Sequence, residues 1–301
     1  MTQYILSNKQ MAKADLLTIE SGISSLDLMF NAGKKVFDNL PIQRGKKALF
    51  ICGPGNNGGD GYVAADLLSK QGMEIDIYCP ISKAKESNDN LYYKQKLNNS
   101  LFIAKIKSIS NYCYVVDALF GTGLSRTMSN DLISLVNNIN QSKLDIYSVD
   151  IPSGINGDTS AVLGEAFNAS KTITFFNKKK CHYLYPGKKY CGEIIVEDIG
   201  IKIDVFEKIM PNIKKNDPSL WINNFPFPVS SDHKYSRGML VINTGPQFQT
   251  GAARLAGRSA MRGGAGAVTM VCDEETAKIL EPQISVELLS VIKEKTIFKN
   301  F

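Results

Sequence analysis

Lys47-Ala48-Leu49-Phe50-Ile51-Cys52 runs directly into Gly53-Pro54-Gly55-Asn56-Asn57-Gly58-Gly59-Asp60-Gly61 and then into Tyr62-Val63-Ala64-Ala65-Asp66-Leu67-Leu68. The first run, apolar on both faces, predicts a buried strand, and the stretch from Tyr62 to Gln71 predicts a helix. Between them, five glycines in nine positions let the backbone turn tightly and approach a ligand. The start of the following helix offers free N–H groups and a partial positive charge, a geometry that favours phosphate. The loop is neither G-x-G-x-x-G nor a Walker sequence with its lysine, so a generic dinucleotide or triphosphate assignment does not follow. A plain strand-to-helix turn is the competing reading. The amides Asn56 and Asn57 and the carboxylate Asp60 weigh against it, because they are costly in a segment that only turns.

The same alternation continues outward. Short apolar runs recur at Lys47 to Cys52, Ile75 to Cys79, Leu101 to Ile106, Tyr112 to Asp117, Ile146 to Asp150, Thr172 to Phe176 and Glu193 to Ile199. Helical stretches are predicted between them at Asn88 to Asn98 and Asn130 to Asn140. Strands apolar on both faces and separated by helices predict an α/β fold, a Rossmann-like three-layer αβα sandwich around a largely parallel sheet. Two helices precede it, at Asn8 to Glu20 behind the N-cap Ser7 and from about Ser25 to before Pro41.

A composition break at Lys214 to Ser231, with Pro218, Pro226 and Pro228, predicts a linker. The division read from the sequence is therefore a first domain over 1–213, a linker over 214–231 and a second segment over 232–301. In that segment Met239 to Ile242, a helix from about Thr250 to Arg262, and Ala267 to Val271 make one β-α-β module, too small to cover its own sheet.

The 301 residues carry a net charge of +6, but the bases are scattered apart from Lys178-Lys179-Lys180 and Lys188-Lys189. Nucleic-acid binders concentrate Lys and Arg on one face, so no nucleic-acid partner is expected, while an anionic small molecule remains compatible. The lysine run at 178–180 is expected to be a wet surface that at most steers such an anion. Six cysteines without C-x-x-C spacing look like core residues of a reducing compartment. The sequence offers neither a signal peptide pattern nor an eighteen-residue apolar run, so no membrane partner is expected, and the expected location is the cytoplasm. His182 is expected to be structural or superficial, His233 solvated, and Trp221 a pin holding the linker to a domain surface.

Two further signals place acids at the carboxyl ends of strands: Asp117-Ala118-Leu119-Phe120-Gly121-Thr122-Gly123-Leu124-Ser125-Arg126, and Val149-Asp150-Ile151-Pro152-Ser153-Gly154. Ligands of open α/β sheets bind outside the carboxyl ends of the strands. A single such acid reads best as a strand end or helix cap. Three ends carrying Asn57, Asp117, Asp150 and Ser153 predict one shared crevice.

Together with ITFF, HYLYPG and CGEIIVEDIGI further on, these strings resemble the N-terminal, YjeF-type domain of NAD(P)H-hydrate epimerases over about residues 8–205. The resemblance implies epimerisation of the R and S forms of NADHX and NADPHX, the hydrated nicotinamide cofactors, a bound potassium ion and a homodimer. Carried over, the substrate loop falls on Asn56, Asn57, Gly58, Gly59 and Asp60. A second substrate segment falls on Gly121, Thr122, Gly123, Leu124, Ser125, Arg126 and Thr127, and the acidic substrate contact on Asp150. The potassium ligands fall on Asn57, Asp117 and Ser153. An amide, a carboxylate and a hydroxyl suit a large hard cation, and with two distant histidines zinc is disfavoured. Asp150 is the expected general acid/base.

Residues 232–301 resemble the opening of the ADP/ATP-dependent NAD(P)HX dehydratase domain, which is ribokinase-like. Its later Asn-Ala-Gly-Asp type stretch is absent and Asn243-Thr244-Gly245-Pro246 departs from the usual glycine pair, so no dehydratase activity is expected. The alternative to an enzyme is a non-catalytic YjeF-type ligand-binding or scaffold domain. Retention of both Asp117 and Asp150 favours catalysis.

Overall fold

The computed structural model describes residues 4–81, 84–284 and 287–292, and the chain divides into two compact units, 1–216 and 217–301. In order, the first contains β1 (Tyr4–Ile5), α1 (Asn8–Glu20), α2 (Ser25–Asp38), β2 (Lys47–Cys52), α3 (Asn56–Lys70), β3 (Glu74–Tyr78), α4 (Asn88–Gln95), β4 (Phe102–Ile103), β5 (Tyr114–Ala118), α5 (Asn130–Gln141), β6 (Asp145–Val149), β7 (Lys171–Phe175), β8 (Glu193–Glu197), α6 (Val205–Ile209) and β9 (Ile213–Lys214). Seven strands form one fully parallel sheet in the order β4-β3-β2-β5-β6-β7-β8. These are the seven apolar runs read from the sequence.

One sheet face buries Ala48, Phe50, Val116 and Ile173 against α1, α2 and α3, including Ala14, Val36 and Leu68. The other buries Leu49, Ile51 and Val115 against Leu132, Val136 and Ile139 of α5. Alternate residues of one strand thus feed opposite layers, which gives the expected three-layer sandwich. The chain leaves β2 towards β3 and β4 on one side and resumes at β5 on the other. The switch point of the topology therefore lies between β2 and β5, where Gly53 and Leu119 follow the strand ends.

Several elements depart from their expected limits. Helix α3 begins at Asn56 with Gly55 as N-cap, so most of the glycine loop is helix. Packing overrides the low helix propensity of glycine here. None of the five glycines has a positive φ, so none serves a left-handed turn. Instead three of them permit close approach within the helix: a Cβ at Gly58 would overlap the Gly53 carbonyl, one at Gly59 the sulfur of Met29, and one at Gly61 would lie 2.6 Å from the Ala118 Cβ. The run Leu101 to Ile106 yields only the two-residue β4, a short edge strand, as edges commonly are. Residues 213 and 214 pair antiparallel with Ile5 and Tyr4, so the first unit takes in the start of the expected linker.

The second unit contains β10 (Met239–Asn243), α7 (Gly251–Arg262), β11 (Ala267–Cys272), α8 (Glu274–Leu280) and β12 (Leu288–Val291), with the strands parallel in the order β10-β11-β12. It goes one helix and one strand beyond the single β-α-β module expected. Asp273, which caps α8 by accepting from the Thr276 N–H at 2.7 Å, marks the extra helix. His233 is exposed, and the Trp221 ring lies 5.8 Å from that of Phe225 within the same unit. All six cysteines are free. Among the described residues no helix is long and apolar enough to cross a membrane.

At the β2–α3 junction a Cβ on Gly53 would collide with the Leu119 carbonyl oxygen, a backbone atom that cannot swing aside. Gly53→Ala is therefore expected to lower the unfolding free energy by about 3 kcal/mol, the upper range for overpacking. Urea denaturation against the unmodified chain checks this.

Candidate active site

The carboxyl ends of β2, β5, β6 and β7 open into a cavity of about 480 Å³. Asn57 and Asp60, three residues apart on one face of α3, both line it. Both polar atoms of the Asn57 side-chain amide are buried without a hydrogen-bond partner among the described residues, and Asp60 is 8 % exposed. Burial pushes the Asp60 carboxyl well above its usual value, and Asp150 and Asp15 push it further. Asn56 lines the cavity mouth, and its Oδ1 accepts from the Ser87 hydroxyl at 2.7 Å.

Asp117, at the end of β5, is fully buried and well satisfied. Its Oδ2 accepts from the Ser148 hydroxyl at 2.9 Å and the Ser153 N–H at 2.8 Å, and its Oδ1 from the Ser153 hydroxyl at 2.5 Å. Burial raises its pKa to about 6 against the pull of these bonds. The Ser153 Oγ also accepts the Phe120 N–H at 2.8 Å and lies 3.0 Å from the Phe120 carbonyl. The next residue, Gly121, is wedged beside Asn57 and Asp150: a Cβ there would lie 3.1 Å from both Asn57 Oδ1 and Asp150 Oδ2.

Asp150 follows β6 with φ +65°, a left-handed conformation that is costly for a residue with a side chain. Three partners hold it. Lys179 Nζ donates to Asp150 Oδ1 at 2.6 Å, and the Thr174 hydroxyl reaches the same oxygen at 3.0 Å. The Lys179 ammonium also donates to Thr174 Oγ1 at 2.7 Å. The third partner is His182. Its Nδ1 accepts the Lys179 N–H at 3.0 Å, which leaves the proton on Nε2 to be donated to the Asp150 carbonyl at 3.1 Å. Burial, seconded by Lys179, drives the His182 pKa down to about 3, so the ring is neutral. For Asp150, burial raises the pKa but the Lys179 charge and hydrogen bond outweigh it, and the carboxyl sits below its usual value.

The lysine run therefore departs from expectation, since Lys179 is 1 % exposed and is the buried counter-charge of Asp150. No residue-level signal marks it out. The order of β6 and β7 along the edge brings the loop after β7 to Asp150, and strand order is not written in the run itself. His182 is structural and buried, not superficial. Helix α1 supplies Asp15, another cavity residue the motifs did not indicate. Burial raises its pKa to about 6, with Lys179 opposing and Asp150 adding to the rise.

Of the second substrate segment, Gly121, Thr122, Gly123 and Leu124 line the cavity, whereas Ser125, Arg126 and Thr127 are exposed outside it. Gly58 and Gly59 are buried behind Asn57 and do not line it. The expected potassium ligands gather at this end: Asp117 and Ser153 are bonded to each other, and Asn57 faces Gly121, the neighbour of the Ser153-bonded Phe120. The donors are hard oxygens, one of them an orphaned buried amide oxygen, around a single buried carboxylate, which fits a monovalent cation. Among the described residues no cluster of three or more His, Cys, Asp or Glu is placed to hold a metal.

Residues 25–181 match the family model described as YjeF-related protein N-terminus. The chain belongs to that family. It is 36 % identical over 207 residues to the NAD(P)H-hydrate epimerase of Lentilactobacillus buchneri, covering 67 % of this chain and 96 % of that one. It is also 31 % identical over 292 residues to the bifunctional NAD(P)H-hydrate repair enzyme Nnr of Coxiella burnetii, covering 92 % of this chain and 58 % of the relative. The chain spans about half the length of the bifunctional relatives it matches, 58 %, 52 % and 53 % of the first three. The fold is similar to that in the crystal structure of yeast ynu0 (YNL200c), with a TM-score of 0.55 at 22 % identity, covering 75 % of this chain and 96 % of that one.

Removing one member of a buried ion pair leaves the other uncompensated. Lys179→Met is expected to cost about 3 to 5 kcal/mol of stability at pH 7. Urea denaturation measures the loss, and a loss below about 1 kcal/mol, the value of an exposed pair, would show that Asp150 and Lys179 are not buried together.

Proposed function

We propose that the cavity binds NADHX and NADPHX and interconverts their R and S epimers, with Asp150 as the proton-transferring group. One observation carries this reading: an aspartate kept ionised by Lys179, with its second oxygen turned to the cavity at Gly121, beside the first turn of α3. Relatives bearing the name NAD(P)H-hydrate epimerase support the choice of substrate.

The hydrated nicotinamide carries its hydroxyl on the ring carbon next to nitrogen. Inverting that carbon means breaking and remaking a bond to it, so protons must move in both directions. Asp150 is poised as a base, and its fixed backbone, clamped by His182, keeps the carboxylate aimed without reorganisation. The N-terminus of α3 faces the cavity through Asn56 and Asn57, where unpaired N–H groups and the helix dipole suit the pyrophosphate. Asn57, Asp117 and Ser153 would hold a potassium ion. When bound, that ion supplies positive charge next to the buried Asp117 carboxylate and the substrate anion. The free cysteines support a reducing, cytoplasmic setting.

A single purified epimer of NADHX, incubated with the chain and followed by chromatography, tests the proposal. Conversion to the other epimer is expected, and Asp150→Asn should slow it about 100-fold or more. Full conversion by Asp150→Asn would remove Asp150 from this role. Potassium, compared with sodium at equal ionic strength, is expected to raise both the rate and the melting temperature. Asp117→Asn should abolish the difference in melting temperature, a readout that needs no substrate.

A further inference from the structure

Asp150 alone serves one side of the reacting carbon. Its Oδ1 is taken up by Lys179 and Thr174, and only Oδ2, at Gly121, faces the cavity. Inversion through loss and return of the hydroxyl requires the oxygen to depart from one face of the ring and water to arrive on the other. A second proton-handling group is needed on a different wall. Helix α1 forms such a wall: Met11, Asp15 and Ile19, spaced four apart and therefore on one stripe of the helix, all line the cavity. The Asp15 carboxylate has no hydrogen bond or ion pair among the described residues, and it lies within electrostatic reach of both Lys179 and Asp150. Resting on the epimerase reading of the cavity, we propose that Asp15 is a second catalytic residue, transferring a proton on one face of the hydroxyl-bearing carbon while Asp150 does so on the other.

In one direction the Asp15 carboxyl gives its proton to the hydroxyl oxygen. The C–O bond breaks with its electron pair on the departing water, and the ring-nitrogen lone pair closes a C=N bond. A water on the opposite face then bonds to the carbon, loses a proton to the Asp150 carboxylate, and returns the C=N pair to nitrogen. One water is released, one is consumed, and one proton has passed from Asp15 to Asp150. The reverse reaction runs the same steps with the roles exchanged, and proton exchange with solvent resets the pair.

The pair is active when it holds one proton. Burial places Asp15 at about 6, while Asp150 stays below its usual value, so the single proton resides on Asp15 at mildly acidic pH and is lost above it. The charged groups facing Asp15 are Lys179 beyond β7, Asp150 after β6 and Asp60 on α3; α6, packed on α1, carries Glu207 and Lys208.

The test is the pH dependence of epimerisation by the full chain and its Asp15 variants, each starting from one epimer. For the unmodified chain kcat/KM should fall as pH rises through about 6. Asp15→Asn should lower kcat about 100-fold in both directions, keep KM within about twofold, and lose the falling limb. Asp15→Glu should restore the limb and at least a tenth of the rate. Unchanged kcat in Asp15→Asn, or a raised KM with kcat intact, overturns the inference while Asp150→Asn still tests the epimerase reading separately. Failure of the unmodified chain to interconvert the epimers overturns that reading itself.

Discussion

The buried pair of Asp150 and Lys179 is the constraint on which the rest of the site depends. A carboxylate removed from water at a strand end would ordinarily take up a proton; an ammonium 2.6 Å away keeps it ionised. The pair is tied at the backbone as well as at the side chains, because one neutral imidazole accepts from the Lys179 N–H and donates to the Asp150 carbonyl. That clamp also accounts for the left-handed backbone at Asp150. Strain of this kind persists only where surrounding contacts over-determine it, and here they do so at a residue that lines the cavity.

Around this pair the site separates its charges by wall. The end of β5 holds a fully bonded carboxylate, Asp117, beside the Ser153 hydroxyl and close to an orphaned amide, a setting of hard oxygens suited to a cation. The helices hold Asp15 on α1 and Asp60 on α3, carboxyls without hydrogen-bond or ion-pair partners among the described residues, which burial favours in their protonated forms. Among the aspartates lining the cavity, Asp150 is thus held below the usual carboxylate value while Asp15 and Asp60 are raised above it, and proton affinities pushed apart in this way suit acid/base work on one carbon.

Much of this was legible in the chain. Seven apolar runs became seven strands of one parallel sheet, and the acids at the ends of β5 and β6 met where open α/β sheets bind ligands. The glycine-rich stretch does border the cavity, but its glycines act differently from the expected tight turn: Gly58, Gly59 and Gly61 serve close packing on Gly53, Met29 and Ala118, and the segment is helical from Asn56. Sequence propensity reads glycine as a breaker, and only the neighbouring backbone shows that space, not turning, is at issue.

Sequence alone determined the layer architecture and set Asp117 and Asp150 at strand ends, with Asn57 and Ser153 in the segments that follow strands, because periodicity and local motifs are short-range properties of the chain. Tertiary structure decided that Lys179 is a buried counter-charge, that His182 clamps two backbones, and that Asp15 shares their cavity. Each of these depends on which strand lies beside which and on which helix stripe covers the sheet edge. A run of three lysines or a lone aspartate on an amphipathic helix carries no record of that neighbourhood. The neighbourhood arises only when the β6 and β7 ends and α1 are packed around one cavity.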